Sequence, residues 1–246
     1  MSAPAPGRTI DVALPGARVA FSTRRGGVSE GPYAALNLGI LTDDDPARVA
    51  RNRELLAGEA GLDRAAIAMG WQVHGTEIAA WERPPPAGRD GYASPGADLE
   101  RVDGHVTGAT GLGLLVLVAD CLPVALAGGG RVAMLHAGWR GLASGILARG
   151  VEAFAEPPAA AIGPGIGRCC YEVGAEVLEA FADLEGIADG RMLDLRAVAE
   201  AKLRAAGVQR IEHVDLCTAC RADLFFSHRR DDGITGRQGG LAWLTG

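Results

Sequence analysis

Aromatic side chains are scarce in this 246-residue chain, at 5% of the total, so its interior has to be built from Ala, Val, Leu and Ile. Apolar residues reach 48% against 22% charged, the balance of a folded chain and not of a disordered one. No stripe of basic residues exists and the net charge is -6, which argues against nucleic acid as a main partner. The segment Met1 to Arg8 lacks the charged stretch followed by an apolar run that an export signal needs, so a cytoplasmic location is expected. A membrane span is also unexpected. Gly108 to Gly130 is apolar and long enough to cross a bilayer. Asp120 at its centre would cost about 2.5 to 3.5 kcal/mol, however, and Pro123 with several glycines interrupts it. Two buried strands joined at Ala119-Asp120-Cys121 fit better.

Cysteine is the next shortage. Five residues is an odd number, and a chain this long needs no staples, so free or metal-bound thiols in a reducing compartment are expected. Cys217-Thr218-Ala219-Cys220 is a C-x-x-C without a second such pair to complete a four-cysteine zinc site. It also lacks the strand-then-helix context of a redox motif. Adjacent Cys169 and Cys170 rarely bridge, and packing thiols are the expectation for all four. There is no internal repeat and no linker. The chain is read as a loose N-terminal segment over residues 1-15 and one α/β domain of mixed α+β sheet over 16-246, with buried strands covered by helices and a metal site at strand ends.

Periodicity and turn residues place the elements. Strands are expected at Arg18 to Ser22, Ala66 to Val73, Asp103 to Thr107, Leu114 to Val118, Leu122 to Ala127, Val132 to Leu135, Ala159 to Ile162, Arg210 to Leu216 and Leu241 to Leu244. Helices are expected from about Ala47 to Ala60, capped by Asp43-Asp44-Asp45-Pro46, then at Leu142 to Phe154, Gly174 to Ala182 and around Leu195 to Leu203. Glu82 to Ala97, rich in Pro and Gly, reads as a loop or lid. Gly163 to Gly167 is turn-rich and lacks the spacing of a dinucleotide or P-loop fingerprint.

Three residues stand where an apolar run gives way to a turn: His74 in Trp71-Gln72-Val73-His74-Gly75, Cys121 in Ala119-Asp120-Cys121-Leu122, and His136 in Leu135-His136-Ala137-Gly138-Trp139-Arg140. Two imidazoles and one thiolate form a three-ligand zinc set whose fourth position stays open, the pattern of catalytic zinc. Such a set leaves the ion a net +1, enough to polarise water. Forty-seven residues separate His74 from Cys121 and 15 separate Cys121 from His136, so the site depends on tertiary convergence. The strands Leu114 to Val118 and Val132 to Leu135 are expected to be sheet neighbours that bring Cys121 and His136 together. Asp120 and Asp103 are candidates for a carboxylate behind the ligands or for a general base, and Asp120 satisfied by backbone N-H groups is an equal reading. The same atoms also suit a metal-free thiol hydrolase with Cys121 as nucleophile and His136 as base, which leaves His74 without a role. Arg24, beside Gly26-Gly27, and Arg140, at a helix start, are candidates for an anion. Asn37 is a candidate ribose contact or a turn residue. Trp71 and Trp139 shield a metal or stack a base, and His105 and His228 are further site candidates.

The strings Phe21-Ser22-Thr23-Arg24-Arg25-Gly26-Gly27-Val28-Ser29, Gln72-Val73-His74-Gly75, Ala119-Asp120-Cys121-Leu122-Pro123-Val124, His136-Ala137-Gly138-Trp139-Arg140-Gly141, Ile162-Gly163-Pro164-Gly165-Ile166-Gly167, Tyr171-Glu172-Val173-Gly174 and Thr235-Gly236-Arg237-Gln238 resemble, in order, those of the YfiH family. This family is also called the laccase-domain or multicopper polyphenol oxidoreductase family. The resemblance implies a single α/β domain, zinc on the residues matching His74, Cys121 and His136, and Cu2+ as the other candidate ion. It also implies phosphorolysis of adenosine, inosine, guanosine and methylthioadenosine, and hydrolytic deamination of adenosine. Purine nucleosides and phosphate are then the partners of a monomer or weak homo-oligomer. In that scheme Cys121, His136, Asp120 and Arg140 are catalytic, and Arg24, Asn37, Arg140 and His105 bind substrate. Polyphenol oxidation and editing of a peptidoglycan precursor are the alternatives. A multicopper centre needs roughly ten histidines, usually in H-x-H pairs. Five histidines and no H-x-H exclude an ordinary laccase mechanism within one chain.

Overall fold

The computed structural model describes residues 7-85 and 99-246. Residues 1-6 of the N-terminal segment and residues 86-97 of the expected loop or lid lie outside the described residues. The strands are β1 (Thr9–Leu14), β2 (Ala17–Ser22), β3 (Ile67–Ala68), β4 (Ile78–Trp81), β5 (Gly104–Thr107), β6 (Gly113–Val118), β7 (Leu122–Gly128), β8 (Arg131–Ala137), β9 (Ala159–Ile162), β10 (Ala188–Asp189), β11 (Met192–Leu193), β12 (Ile211–His213) and β13 (Gln238–Leu244). The helices are α1 (Pro46–Ala60), α2 (Trp139–Ser144), α3 (Ile146–Glu152), α4 (Ala175–Glu179) and α5 (Leu195–Ala205).

Two sheets carry the architecture, ordered β1-β2-β13-β6-β3 and β12-β9-β7-β8-β5-β4, and β10 with β11 forms a small hairpin. Most pairs are antiparallel, with parallel pairs at β3-β6, β4-β5 and β9-β12. Alternation along the strands explains the layering. On β7, Ala125 and Ala127 pack with Val19, Leu114, Val116 and Ala242 of the first sheet. Leu122, Val124 and Leu126 face the other way, onto Leu142, Leu147, Val198 and Leu203 of the helices. The outer face of the first sheet is covered by Leu56 and Ala57 of α1 and by Leu36 and Leu38. The order is therefore helix, sheet, sheet, helices. Because both faces of β6, β7 and β8 are covered, their sequences are continuous apolar runs without polar alternation.

Several expectations change. Residues 9-14, read as loose, form β1 on the edge of the first sheet, antiparallel to β2 from Thr9↔Ser22 to Leu14↔Ala17. The strand expected at Ala66 to Val73 stops at Ala68, so His74 hangs on a loop. The helix expected at Leu142 to Phe154 is split into α2 and α3 by Gly145, whose φ of 94° is left-handed. Finally, Leu114 to Val118 and Val132 to Leu135 are not sheet neighbours. β6 pairs with β13 and β3, β8 pairs with β7 and β5, and the two strands face each other across the layers. Cys121 and His136 meet instead through the β7-β8 hairpin, whose register sets Pro123 opposite His136. Gly129 and Gly130, with φ of 57° and 73°, provide the two-residue turn this hairpin requires.

Candidate metal centre and cavity

Each of the three ligands arrives on a backbone held from behind. His74 sits in the loop after β3, where Gln72 clamps the chain to β6: its Nε2 donates to the Leu117 carbonyl and its Oε1 accepts from the Leu117 N-H, both at 2.7 Å. One carboxylate then fixes the loop. Asp103 accepts the N-H groups of Val73, His74 and Gly75 at 3.0, 2.9 and 2.7 Å. His74 itself has a φ of 61°, an uncommon left-handed conformation for histidine that these bonds support.

Cys121 follows Asp120 in the turn from β6 to β7, and Asp120 too is left-handed, with a φ of 92°. Its carboxylate accepts Thr218 Oγ1-H at 2.6 Å and Arg229 N-H at 2.7 Å. Both oxygens are occupied, so of the two readings of Asp120 the geometry supports the satisfied strand-end carboxylate. His136, near the end of β8, pairs its Nδ1 with Asp103 Oδ1 at 2.7 Å. A histidine whose Nδ1-H points to a carboxylate presents Nε2 as the free lone pair, the usual support for a metal ligand. Asp103 thus holds two of the three ligands, one by its ring and one by its backbone.

The three ligand atoms lie within 4.8 Å of one another, with Cys121 Sγ 3.8 Å from His74 Nε2. A thiolate and an imidazole on one tetrahedral zinc stand about 3.6 Å apart, from bond lengths of about 2.3 and 2.0 Å. Gly138 completes the cradle: a Cβ there would come 2.9 Å from Cys121 Sγ and 3.0 Å from His74 Cδ2. Donor chemistry and spacing therefore fit one borderline-soft ion. In the metal-free protein, burial works against charge on both Cys121 and His136, but each stabilises the other's ionised form. The attraction of His136, with hydrogen bonds from His136 and His74, pulls the Cys121 thiol down to about 6. Cys121, together with Asp103, lifts His136 to about 9.

The ligands floor a cavity of about 440 Å³, within the usual range for small-molecule sites. Trp71, Trp139 and Tyr171 supply rings, while Arg140, Arg229 and Arg237 supply positive charge. Arg140 lies over the Trp139 ring at 4.4 Å and Arg229 over Tyr171 at 5.3 Å, which orients both guanidinium groups along the wall. Burial and the negative charge of Cys121 hold the Tyr171 phenol up at about 12, so it is a neutral O-H donor. His74, Cys121, His136, Asp120, Arg140 and His228 are brought together here.

Three expected site residues do not line this cavity. Arg24 is a structural tie: Nε donates to the Ala34 carbonyl at 2.6 Å, one terminal nitrogen donates to the Ala222 carbonyl at 3.2 Å, and the group sits over Phe226. Asn37 organises a turn, donating to Thr42 Oγ1 and Asp44 Oδ2 and accepting from the N-H groups of Gly39 and Arg237. His105 is buried behind Gly70, accepts Trp81 Nε1-H at 3.2 Å, and is pulled down to about 4 by burial. Arg229 and Arg237, not among the expected site residues, line the cavity as well. For Arg237 the signal in the sequence is the Thr235-Gly236-Arg237-Gln238 string, whereas Arg229 lies outside every string that carries the resemblance.

Two imidazoles and a thiol that could hold a metal ion, at the floor of a small-molecule cavity near strand ends in a layered α/β fold, define the class of site this protein carries. A family model described as multi-copper polyphenol oxidoreductase laccase matches residues 18–245, and the chain belongs to that family. Its relatives include the purine nucleoside phosphorylase YfiH of Escherichia coli K12, 37% identical over 93% of this chain and 94% of that protein. The purine nucleoside phosphorylase SCO2081 of Streptomyces coelicolor is 40% identical over 93% of this chain and 96% of its own length. The crystal structure of YlmD from Geobacillus stearothermophilus superimposes with a TM-score of 0.86 at 33% identity, covering 95% of this chain and 93% of that one.

Proposed function

We propose that the protein is a zinc-dependent purine nucleoside phosphorylase of the cytoplasm, with His74, Cys121 and His136 as the ligands of the ion. The single observation that carries this reading is one cavity holding three kinds of group side by side: the ligand triad, the rings of Trp71, Trp139 and Tyr171, and the cations Arg140, Arg229 and Arg237. The names of the relatives agree with it. Held by His74, Cys121 and His136, zinc would supply Lewis-acid chemistry at the cavity floor.

The chain's own residues divide the remaining work. Tryptophan and tyrosine rings hold a planar purine by stacking. The arginines hold inorganic phosphate beside the ribose and orient it for attack on C1'. In phosphorolysis a phosphate oxygen forms a bond to C1' as the C1'-N9 bond breaks, and the electron pair leaves with the purine. Tyr171, a neutral phenol, and His228 both line the cavity and are the residues that would donate a hydrogen bond to the leaving base. Adenosine, inosine, guanosine and methylthioadenosine all fit such a site because the ring faces and C1' are common to them. Deamination of adenosine is the second reading. Asp120, the only carboxylate lining the cavity among the described residues, has both oxygens engaged, so a proton shuttle for that reaction falls to His228 or Tyr171.

Incubation with adenosine, with and without phosphate, separates the two. Adenine and ribose 1-phosphate formed only with phosphate support phosphorolysis, inosine supports deamination, and neither product overturns the nucleoside assignment. Arg140→Ala is expected to raise the KM for phosphate by about 10- to 100-fold, the worth of a hydrogen bond to a charged group, with a smaller change in the KM for nucleoside. An unchanged phosphate KM would remove Arg140 from the phosphate subsite.

A further inference from the structure

The four cysteines outside the cavity come from two distant parts of the chain, yet their sulfurs all lie within 4.8 Å of one another. Cys169 and Cys170 occupy the turn after β9, and Cys217 and Cys220 the turn after β12. The sulfurs of Cys169 and Cys170 each stand 3.4 Å from that of Cys220, and none of the four is in a disulfide. The Gly167 N-H donates to Cys217 Sγ at 3.2 Å, the kind of contact that favours a thiolate.

Distance and exposure discriminate among the uses of such a cluster. Sulfurs in a disulfide are about 2.05 Å apart, and those of an iron-sulfur cluster are separated by the iron and sulfide atoms between them. Four thiolates on one tetrahedral ion at about 2.3 Å stand about 3.8 Å apart, which the observed spacing brackets. Packing thiols, the expectation from sequence, belong in an apolar interior. Cys169 and Cys220 are instead exposed, and all four side chains converge on each other at the surface. A single C-x-x-C is completed here by an adjacent pair, a combination that only the fold reveals.

We propose that Cys169, Cys170, Cys217 and Cys220 form a closed four-thiolate zinc site, separate from the ion at His74, Cys121 and His136. With all four positions taken by protein, this ion has no place for water or substrate and acts structurally. It joins the turn leading to Tyr171 with the turn that carries Thr218. Thr218, between Cys217 and Cys220, donates to Asp120, the residue beside Cys121. Arg230 holds the carbonyls of Thr218 and Ala219. The second ion thus pins the rear wall of the cavity.

The test is metal content by elemental analysis and native mass spectrometry on the full chain, expressed with zinc and purified under reducing conditions. Two zinc ions per chain are expected, one in Cys121→Ser, and one in the double variant Cys217→Ser with Cys220→Ser. Should the double variant fail to fold, Cys121→Ser carries the test alone. Its remaining ion, exchanged for Co2+, is expected to show the thiolate charge-transfer absorption of a tetrathiolate centre. A zinc-free Cys121→Ser protein, or a disulfide joining the two cysteine pairs in the isolated protein, would overturn the site. Neither result bears on nucleoside turnover, which is read separately.

Discussion

Asp103 is buried, yet its two oxygens serve four donors: the His136 ring and the backbone of Val73, His74 and Gly75. Burial opposes its charge, but these bonds and the His136 ring hold its carboxyl below the usual carboxylate range. A depressed carboxyl contributes stability above its unfolded value near 3.8, and that contribution is lost as the pH falls through the lower folded value. Asp103→Asn is expected to weaken zinc binding by about 10- to 100-fold in a chelator competition, and unchanged affinity would contradict the support role. Cys121 at about 6 and His136 at about 9 imply a thiolate-imidazolium pair in the metal-free protein between those values. Binding of zinc at pH 7.5 is then expected to release about one proton, from His136, as read by calorimetry in buffers of different ionisation enthalpy. No release would contradict the pair. The triad was legible in the sequence because each member ends an apolar run. Asn37 takes the turn role that was one of its two readings, whereas Arg24 and His105 lie away from the cavity, because a polar residue near a motif gives no sign of whether its hydrogen bonds are already used.

Gly138 is where β8 hands over to α2, and its φ of -80° would suit any residue. Its constraint is space: the missing Cβ leaves room for Cys121 Sγ and His74. Gly138→Ala is therefore expected to lower zinc content while leaving circular dichroism and the unfolding midpoint of the metal-free protein unchanged. Full zinc content in that variant would show that the ligands can give way. Gly145 is the opposite case, with open space around it and a φ of 94° where α2 turns into α3. Gly145→Ala should cost about 1 to 2 kcal/mol in urea denaturation through backbone strain alone. The break at Gly145 was hidden in sequence because the apolar residues of both helices face one core and read as a single pattern. Helix α1 was legible because its signals are local: Asp45 caps the Ala47 N-H, Pro46 opens the helix, and Gly61 ends it in a left-handed turn.

Two sheets stacked between helices explain what local patterns could not supply. The run from Gly113 to Gly128 reads as two buried strands, but nothing in it says that β6 and β7 belong to different sheets. Strand pairing between distant segments is set by the packing of both faces, and β13, from the end of the chain, comes to lie between β2 and β6. The same long-range closure brings Arg229 and Arg237 to the cavity and joins the two cysteine pairs, which is why neither was visible as a spacing. The layers converge on one pocket in which the triad, the rings and the cations meet, and a direct kinetic comparison reports on it. Cleavage of inosine by the holoenzyme is to be followed with and without phosphate, beside Cys121→Ala. Hypoxanthine and ribose 1-phosphate that appear only with phosphate, and fall to background in Cys121→Ala, are the predicted result. Phosphate-independent cleavage, or full phosphorolysis by Cys121→Ala, would contradict it.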